Sequence, residues 1–220
     1  ALHTLNLGGS AIGSGINVSY HYQVHVIPKL ETVTGLELFQ AVDLFDATQN
    51  LDVFTTLSGA LKTLAVNLSK MSNDLRLLSS GPRSGLSEIN LPARQAGSSI
   101  MPGKVNPVIP EVVNQVAFEV IGNDATITAA VEAGQLELNA FEPVLFYRMF
   151  ASITHLTSAM KTFREHAIAG ITHNEERLAK DIDLSASFAT AMANMVGYKQ
   201  AAELAKESLK TNRPLRECAI

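Results

Sequence analysis

The sequence DVFTTLSGALKTLAVNLSKMSNDLRLL occupies residues 52–78 and determines the predicted fold. Its larger apolar side chains recur in alternating steps of four and three residues, at Leu57, Leu61, Leu64, Leu68, Met71, Leu75 and Leu78. This spacing is typical of a helix that packs lengthwise against a neighbouring helix. We therefore predict one helix of roughly 40 Å, at a rise of about 1.5 Å per residue. Gly81 and Pro82 are expected to end it.

Two further long helices are predicted on the C-terminal side of the first. The second begins near Pro107 or Pro110, because proline is favoured in a first helical turn, and continues to about Glu132. The third begins at Pro143 and ends before Gly170. It repeats the four-and-three spacing at Leu145, Met149, Ile153, Leu156, Met160, Phe163 and Ala167. Three rods of this length predict an all-α fold built as a long-helix bundle.

The second helix is apolar or small over much of its circumference, at Val112, Val113, Val116, Ala117, Val120, Ile121, Ala125, Ala129 and Ala130. A helix buried on all sides needs more neighbours than three rods of one chain supply. We therefore expect a homo-oligomer. Shorter helices are predicted over residues 20–34, closed by Gly35, and near residues 174–184 and 198–211.

Composition narrows the classes of function. The formal charge of −4 gives no basic footprint, so nucleic acid is not an expected partner. Cys218 is the only cysteine, which excludes an internal disulfide and fits a reducing compartment. No apolar run is long enough to span a membrane, and a cytoplasmic location is expected. Since the chain starts at Ala1 without an initiator Met and stops abruptly at Ile220, we expect a fragment of a longer chain.

The connection between the first and second rods, residues 91–107, contains the candidate chemistry. It is long for a helical bundle, and such loops are commonly functional. Lys104 and Asn106 precede a predicted helix start, where free N–H groups favour an anion, so they predict a carboxylate-binding corner. Ser98 could then act as a nucleophile or as a base. The alternative is a mobile polar surface loop in which Asn106 only caps the helix.

Two other features could indicate a metal site and a phosphate-binding loop, but a simpler interpretation is favoured for each. His21 and His25 are four residues apart and could share a metal, but no third ligand is evident and a surface pair is favoured. The glycine-rich residues 8–15 lack the Gly-Lys-Ser/Thr ending of a phosphate-binding loop, which favours a tight turn. We expect no metal and no cofactor.

Residues 97–107 read GSSIMPGKVNP and resemble the signature loop of the aspartase/fumarase superfamily, G-S-S-x-M-P-x-K-x-N-P, at every fixed position. The resemblance extends to residues 9–17, 73–83 and 134–139. It implies a long-helix bundle of the aspartase/fumarase type over residues 1–170. The start of a small C-terminal helical domain would then occupy residues 171–220.

The resemblance also implies roles for individual residues. Ser98 would be the catalytic base that removes a Cβ proton, and Glu111 a catalytic acid that pairs with a histidine of another subunit. The expected substrate-binding residues are Ser99, Ile100, Met101, Lys104 and Asn106. The substrate would be a small dicarboxylate bound in a homotetramer whose sites each use three subunits.

Within the superfamily, Glu142 before Pro143 favours the branch that reversibly deaminates L-aspartate to fumarate and ammonia by anti elimination. The alternatives are a class II fumarase and a non-catalytic helical oligomerisation core. Because site loops of the family fall outside this chain, the fragment alone is expected to be inactive.

Overall fold

The computed structural model describes residues 2–95, 97, 101, 103–185 and 187–218. Over these residues the chain is mostly helical. The helices are α1 (Tyr20–Thr34), α2 (Leu44–Gln49), α3 (Asp52–Leu78), α4 (Val108–Glu132), α5 (Glu142–His166), α6 (Glu175–Leu184), α7 (Ser187–Val196), α8 (Tyr198–Thr211) and α9 (Leu215–Cys218). Four two-residue strands form two small sheets: β1 (Thr4–Leu5) parallel to β2 (Phe39–Gln40), and β3 (Ile89–Asn90) antiparallel to β4 (Thr172–His173). The all-α prediction is confirmed.

The predicted long helices form close to their expected bounds. Helix α3 covers residues 52–78, α4 begins directly after Pro107, and α5 begins one residue before Pro143. Gly35 closes α1 in the left-handed conformation, and its N–H donates to Glu31 O at 2.8 Å. Three short helices, α2, α7 and α9, were not predicted: α2 and α9 are too short to show a clear period, and in α7 three alanines and three small polar residues obscure it.

The chain forms two compact units. The first contains Ala1–Asn73 and Val108–Arg164, and the second contains Asp74–Pro107 and Glu165–Ile220. The domain boundary predicted after residue 170 stays a prediction.

The core of the first unit lies between α3, α4 and α5. One buried cluster joins Leu51, Ile127, Ala130, Leu145 and Met149. The Phe54 and Phe146 rings pack against it and meet each other edge to face. A second cluster joins Ala65, Ala117, Val120 and Leu156. Both clusters draw residues from α3, α4 and α5, so the three rods pack as a bundle.

The buried stripe of α3 differs from the predicted leucine seam by one residue. The fully buried positions are Ser58, Ala65, Ser69 and Ser72. Leu64 and Met71, which the spacing predicted to be buried, are 37% and 48% exposed. On α5, Ser152 and Ala159 likewise lie inside, whereas Ile153 and Met160 are partly exposed. Small side chains on the inner face allow the backbones to approach, which places the larger neighbours at the edges of the contact.

Small polar residues of α3 and α5 satisfy the buried polar side chains of α4. The Asn114 amide donates to Ser69 Oγ at 2.9 Å and to Ser69 O at 3.1 Å. The Asn123 amide donates to Ser152 Oγ at 3.1 Å. Because a buried amide without partners is costly, these serines have a reason to lie inside the bundle.

In the part of the chain that the structure describes, no helix is long and apolar enough to cross a membrane.

Candidate functional site

The second unit contains the turn that follows the first long rod. Ser79 N–H donates to Leu75 O at 3.0 Å, Ser80 Oγ to Leu77 O at 2.6 Å, and Glu88 N–H to Leu78 O at 2.9 Å. The last carbonyls of a helix usually lack partners and carry its negative dipole end. Here the turn donates to these carbonyls, so they are not left as bare acceptors that would repel an anion.

The conformation of this turn depends on one glycine and one unusual serine. A Cβ on Gly85 would lie 2.4 Å from the carbonyl carbon and oxygen of Ser80, so only glycine fits there without movement of the backbone. Ser87 adopts a φ of 51°, in the left-handed region. Its N–H donates to Ser80 O at 2.7 Å, which fixes the returning strand against the end of α3.

A cavity of about 370 Å³ lies beside this turn. Its lining comes from the end of α3, the turn, β3 and the segment before α4: Arg76, Ser79, Ser80, Gly81, Pro82, Ser87, Ile89, Asn90, Leu91, Gly103, Lys104, Val105, Asn106 and Pro107. The structure thus brings the two predicted carboxylate ligands, Lys104 and Asn106, into one cavity.

The segment before α4 is held by short backbone contacts. Lys104 N–H donates to Met101 O at 3.2 Å. A Cβ on Gly97 would come within 2.8 Å of Lys104 O, so the Gly97 backbone lies close to the Lys104 carbonyl. The Lys104 side chain is exposed and Asn106 is half-buried, which leaves the ammonium accessible to a ligand.

The cavity favours a small anion. Among the described residues that line it, the charged ones are Arg76 and Lys104, and both are positive. Serine hydroxyls and the Asn106 amide supply additional hydrogen-bonding groups. Its volume is that of a small-molecule site. Two cations with surrounding donors can bind a dicarboxylate.

The remaining predicted site residues divide into two groups. Ser98, Ser99 and Ile100 lie outside the described residues. Met101 is half exposed and Glu111 is half-buried in the first turn of α4; neither is among the residues that line the cavity. The catalytic and binding roles assigned to all of them stay predictions.

Arg76, Ser87 and Asn90 line the cavity, although the sequence predicted no role for them. The signal was a polar, glycine-containing run directly after a long helix, at residues 79–90. That run resembles the family over its first residues, yet nothing in the spacing shows that it faces Lys104. Only the turn geometry places it there.

The histidine pair forms on α1 as expected for a helix. The rings of His21 and His25 stack at 4.2 Å, and His25 Nδ1 lies 2.7 Å from His21 O. They border an apolar hollow of about 680 Å³ together with Tyr22, Val26, Lys29, Leu30 and Val33. Among the described residues, no group of three His, Cys, Asp or Glu side chains is placed to hold a metal ion.

A comparison with known protein families identifies the family of this chain. A family model described as a lyase matches residues 1–122, more than half of the chain. The chain belongs to this lyase family. The predicted resemblance to the aspartase/fumarase superfamily is confirmed.

The chain is similar to several relatives over nearly all of its residues. It is 52% identical over 216 residues to the aspartate ammonia-lyase of Pseudomonas canavaninivorans. The match covers 98% of this chain and 46% of that protein. It also resembles the structure of the cobalt-bound fumarate lyase:delta crystallin of Brucella melitensis, with a TM-score of 0.94 and 52% sequence identity. The two structures match over 99% of this chain and 47% of the Brucella chain. The class II fumarase of Schistosoma mansoni gives a TM-score of 0.92 and 33% identity over 99% and 49% of the two chains.

The chain therefore spans just under half the length of these relatives. The predicted fold, a long-helix bundle of the aspartase/fumarase type, is confirmed.

Proposed function

We propose that the chain is part of an aspartate ammonia-lyase, which reversibly converts L-aspartate to fumarate and ammonia by anti elimination. The observation that carries this proposal is the cavity in which Lys104, Asn106 and Arg76 converge. The proposal is supported further by aspartate ammonia-lyases about half identical to the chain along its whole length.

In this mechanism Lys104 and Asn106 bind the substrate carboxylate next to the carbon that loses its proton. Ser98, as the base, removes the Cβ proton, and negative charge develops on that carboxylate as an aci-carboxylate. Collapse of this intermediate forms the C=C bond and breaks the C–N bond, so ammonia leaves with the bonding pair. Preformed cationic and amide donors stabilise the developing charge more than they stabilise the substrate.

Other predicted residues complete the site. Glu111 would pair with a histidine of another subunit as the catalytic acid, and Ser99, Ile100 and Met101 would cover the substrate. Since such a site needs residues beyond this chain, the 220-residue chain alone is expected to show no turnover. The bundle domain would end at residue 170, where the small C-terminal helical domain starts.

A homotetramer in the cytoplasm is the proposed setting. On α4, Phe118 is 62% exposed, and on α5, Phe150 is 63% exposed. Val112, Ile121, Tyr147 and Ile153 extend these exposed apolar faces along the two rods. Apolar faces of this extent on long helices are typical of surfaces that pack against further copies.

A class II fumarase is the second candidate function, favoured by the similarity to the enzyme of Schistosoma mansoni. A non-catalytic helical core is the third. The two enzymes differ in the leaving group, ammonia or water, and hence in the substrate that yields fumarate.

The test uses the full-length enzyme and follows fumarate absorbance with L-aspartate and, separately, with L-malate. Formation of fumarate and ammonia from aspartate supports the proposal, whereas fumarate from malate alone would replace it with the fumarase. Ser98→Ala is expected to lower kcat on the order of 10²–10⁴-fold if Ser98 is the base. Ser84→Ala, an exposed serine outside the cavity lining, is the matched control and should leave kcat unchanged.

A further inference from the structure

Two asparagine amides from distant parts of the chain bond to each other in the second unit. Asn174 Nδ2 donates to Asn90 Oδ1 at 3.2 Å, and Asn90 Nδ2 donates to Asn174 Oδ1 at 2.7 Å. The same Asn174 nitrogen donates to Ser87 O at 2.7 Å, and that of Asn90 donates to Thr172 Oγ1 at 3.2 Å. Each primary amide has two N–H donors, so this arrangement uses all four.

The amide pair holds residues of the cavity wall. Ser87 and Asn90 both line the cavity that contains Lys104 and Asn106. Ser87 is in the left-handed conformation, which is unfavourable for a residue with a side chain unless its surroundings hold it there. Asn174 holds it through the Ser87 carbonyl, and Ser80 O accepts the Ser87 N–H on the other side.

The backbone adds few further bonds between these segments. Strands β3 and β4 pair over only two residues each. Asn174 N–H donates to Glu88 O at 2.9 Å. A two-residue ladder is marginal by itself, so the side-chain bonds of Asn174 account for much of the attachment.

Asn174 also occupies the N-cap position of α6, where asparagine is favoured because its side chain usually accepts a hydrogen bond from the first turn. Here its side chain makes no such cap bond. Both functional groups of the amide are instead directed to Ser87 and Asn90. Helix capping therefore does not account for this side chain.

We propose that Asn174 is a positioning residue of the substrate cavity, which holds Ser87 and Asn90 in the wall beside Lys104 and Asn106. The proposal rests on the proposed function insofar as the ligand is a dicarboxylate. In this role Asn174 contacts residues of the cavity wall and does not contact the substrate.

The experiment compares Asn174→Ala and Asn174→Asp with Thr172→Val in the full-length enzyme. Thr172→Val removes a single acceptor of the same network and is the matched control. Three quantities are measured: amide hydrogen exchange over residues 86–91, KM and kcat for L-aspartate, and the Kd of succinate as a non-reacting dicarboxylate probe.

Loss of several hydrogen bonds at one wall is expected to speed exchange of the Glu88 amide and its neighbours about tenfold. It should raise KM and the succinate Kd about tenfold, with a smaller change in kcat and little change in exchange elsewhere. Asn174→Asp should behave like the alanine variant, because a carboxylate oxygen would face Ser87 O instead of donating to it. Thr172→Val should shift each quantity less than threefold.

Unchanged exchange over residues 86–91 in Asn174→Ala would overturn the proposal. So would faster exchange with KM and succinate Kd both unchanged, because the wall would then not matter for binding. A fall in Tm accompanied by faster exchange throughout the protein would assign Asn174 a general structural role and also overturn it. If the unsubstituted enzyme does not act on aspartate, the proposed function fails, while exchange and succinate binding still decide the role of Asn174.

Discussion

The Lys62 ammonium lies 2.5 Å from Asp124 Oδ2, and this ion pair joins α3 to α4 inside the first unit. Ser58 Oγ donates to the other carboxylate oxygen at 2.7 Å. The two partners differ in access to water: the Asp124 side chain is 10% exposed and that of Lys62 is 43% exposed. Lys62 can therefore be solvated without Asp124, whereas Asp124 without Lys62 would remain a buried charge.

This difference in exposure predicts that removing Lys62 destabilises the protein more than neutralising Asp124 does. We expect Lys62→Met to lower the free energy of unfolding by about 2–4 kcal/mol, because it leaves a buried carboxylate with one hydroxyl donor. Asp124→Asn should cost less, about 1 kcal/mol, since the amide still accepts from Ser58 and Lys62 turns to water. Guanidinium unfolding of the full-length enzyme measures both. Lys206→Met, at an exposed lysine of α8, is the control, and the reverse order would contradict the argument.

Lys104 supplies positive charge to the cavity, so Lys104→Met is expected to lower kcat/KM for L-aspartate on the order of 10²-fold. Lys104→Arg keeps the charge but changes its shape and reach, and should recover only part of the loss. Steady-state kinetics measure both effects. Lys29→Met, at an exposed lysine outside this cavity, should change kcat/KM less than twofold. Equal kinetics for Lys104→Met and Lys29→Met would remove Lys104 from the site.

Gly85 allows the turn after α3 to close, because any Cβ there would meet the Ser80 backbone at 2.4 Å. We expect Gly85→Ala to lower the free energy of unfolding by about 1–3 kcal/mol and to raise KM, since backbone must move to relieve the contact. Gly59→Ala is the paired control: this glycine lies within α3 and a Cβ would meet nothing within 4 Å. It should be neutral or stabilising by about 1 kcal/mol. Equal effects of the two changes would mean that the turn is not tight.

The exposed aromatic side chains of α4 and α5 predict that a negative charge placed on these helices weakens subunit assembly. Phe118→Asp and Phe150→Asp should each reduce the tetramer, because a carboxylate would have to be buried between copies. Native mass spectrometry at several protein concentrations measures the change. Tyr198→Asp, at an 83% exposed ring of α8, should leave the assembly intact. If Phe118→Asp and Phe150→Asp also leave it intact, these faces are not subunit contacts.

Local signals in the sequence predicted the helical elements well. Pro107 and Pro143 mark the starts of α4 and α5, and Gly35 marks the end of α1, because each residue restricts or permits backbone conformations independently of distant contacts. The motif over residues 97–107 was sufficient to find Lys104 and Asn106, which the structure brings into one cavity.

Local sequence signals were therefore enough to predict where the rods begin and end and which loop contains the candidate ligands. The tertiary fold sets which positions of each rod are fully buried: on α3 these include Ser58, Ala65 and Ser72, because small side chains permit close approach. The predicted leucines Leu57, Leu61 and Leu68 pack against the core from its edge, and Leu64 and Met71 are exposed. The tertiary fold also decided that Asn174 meets Ser87 and Asn90. Residues more than eighty positions apart meet only when the whole chain has folded, and no local pattern encodes that contact.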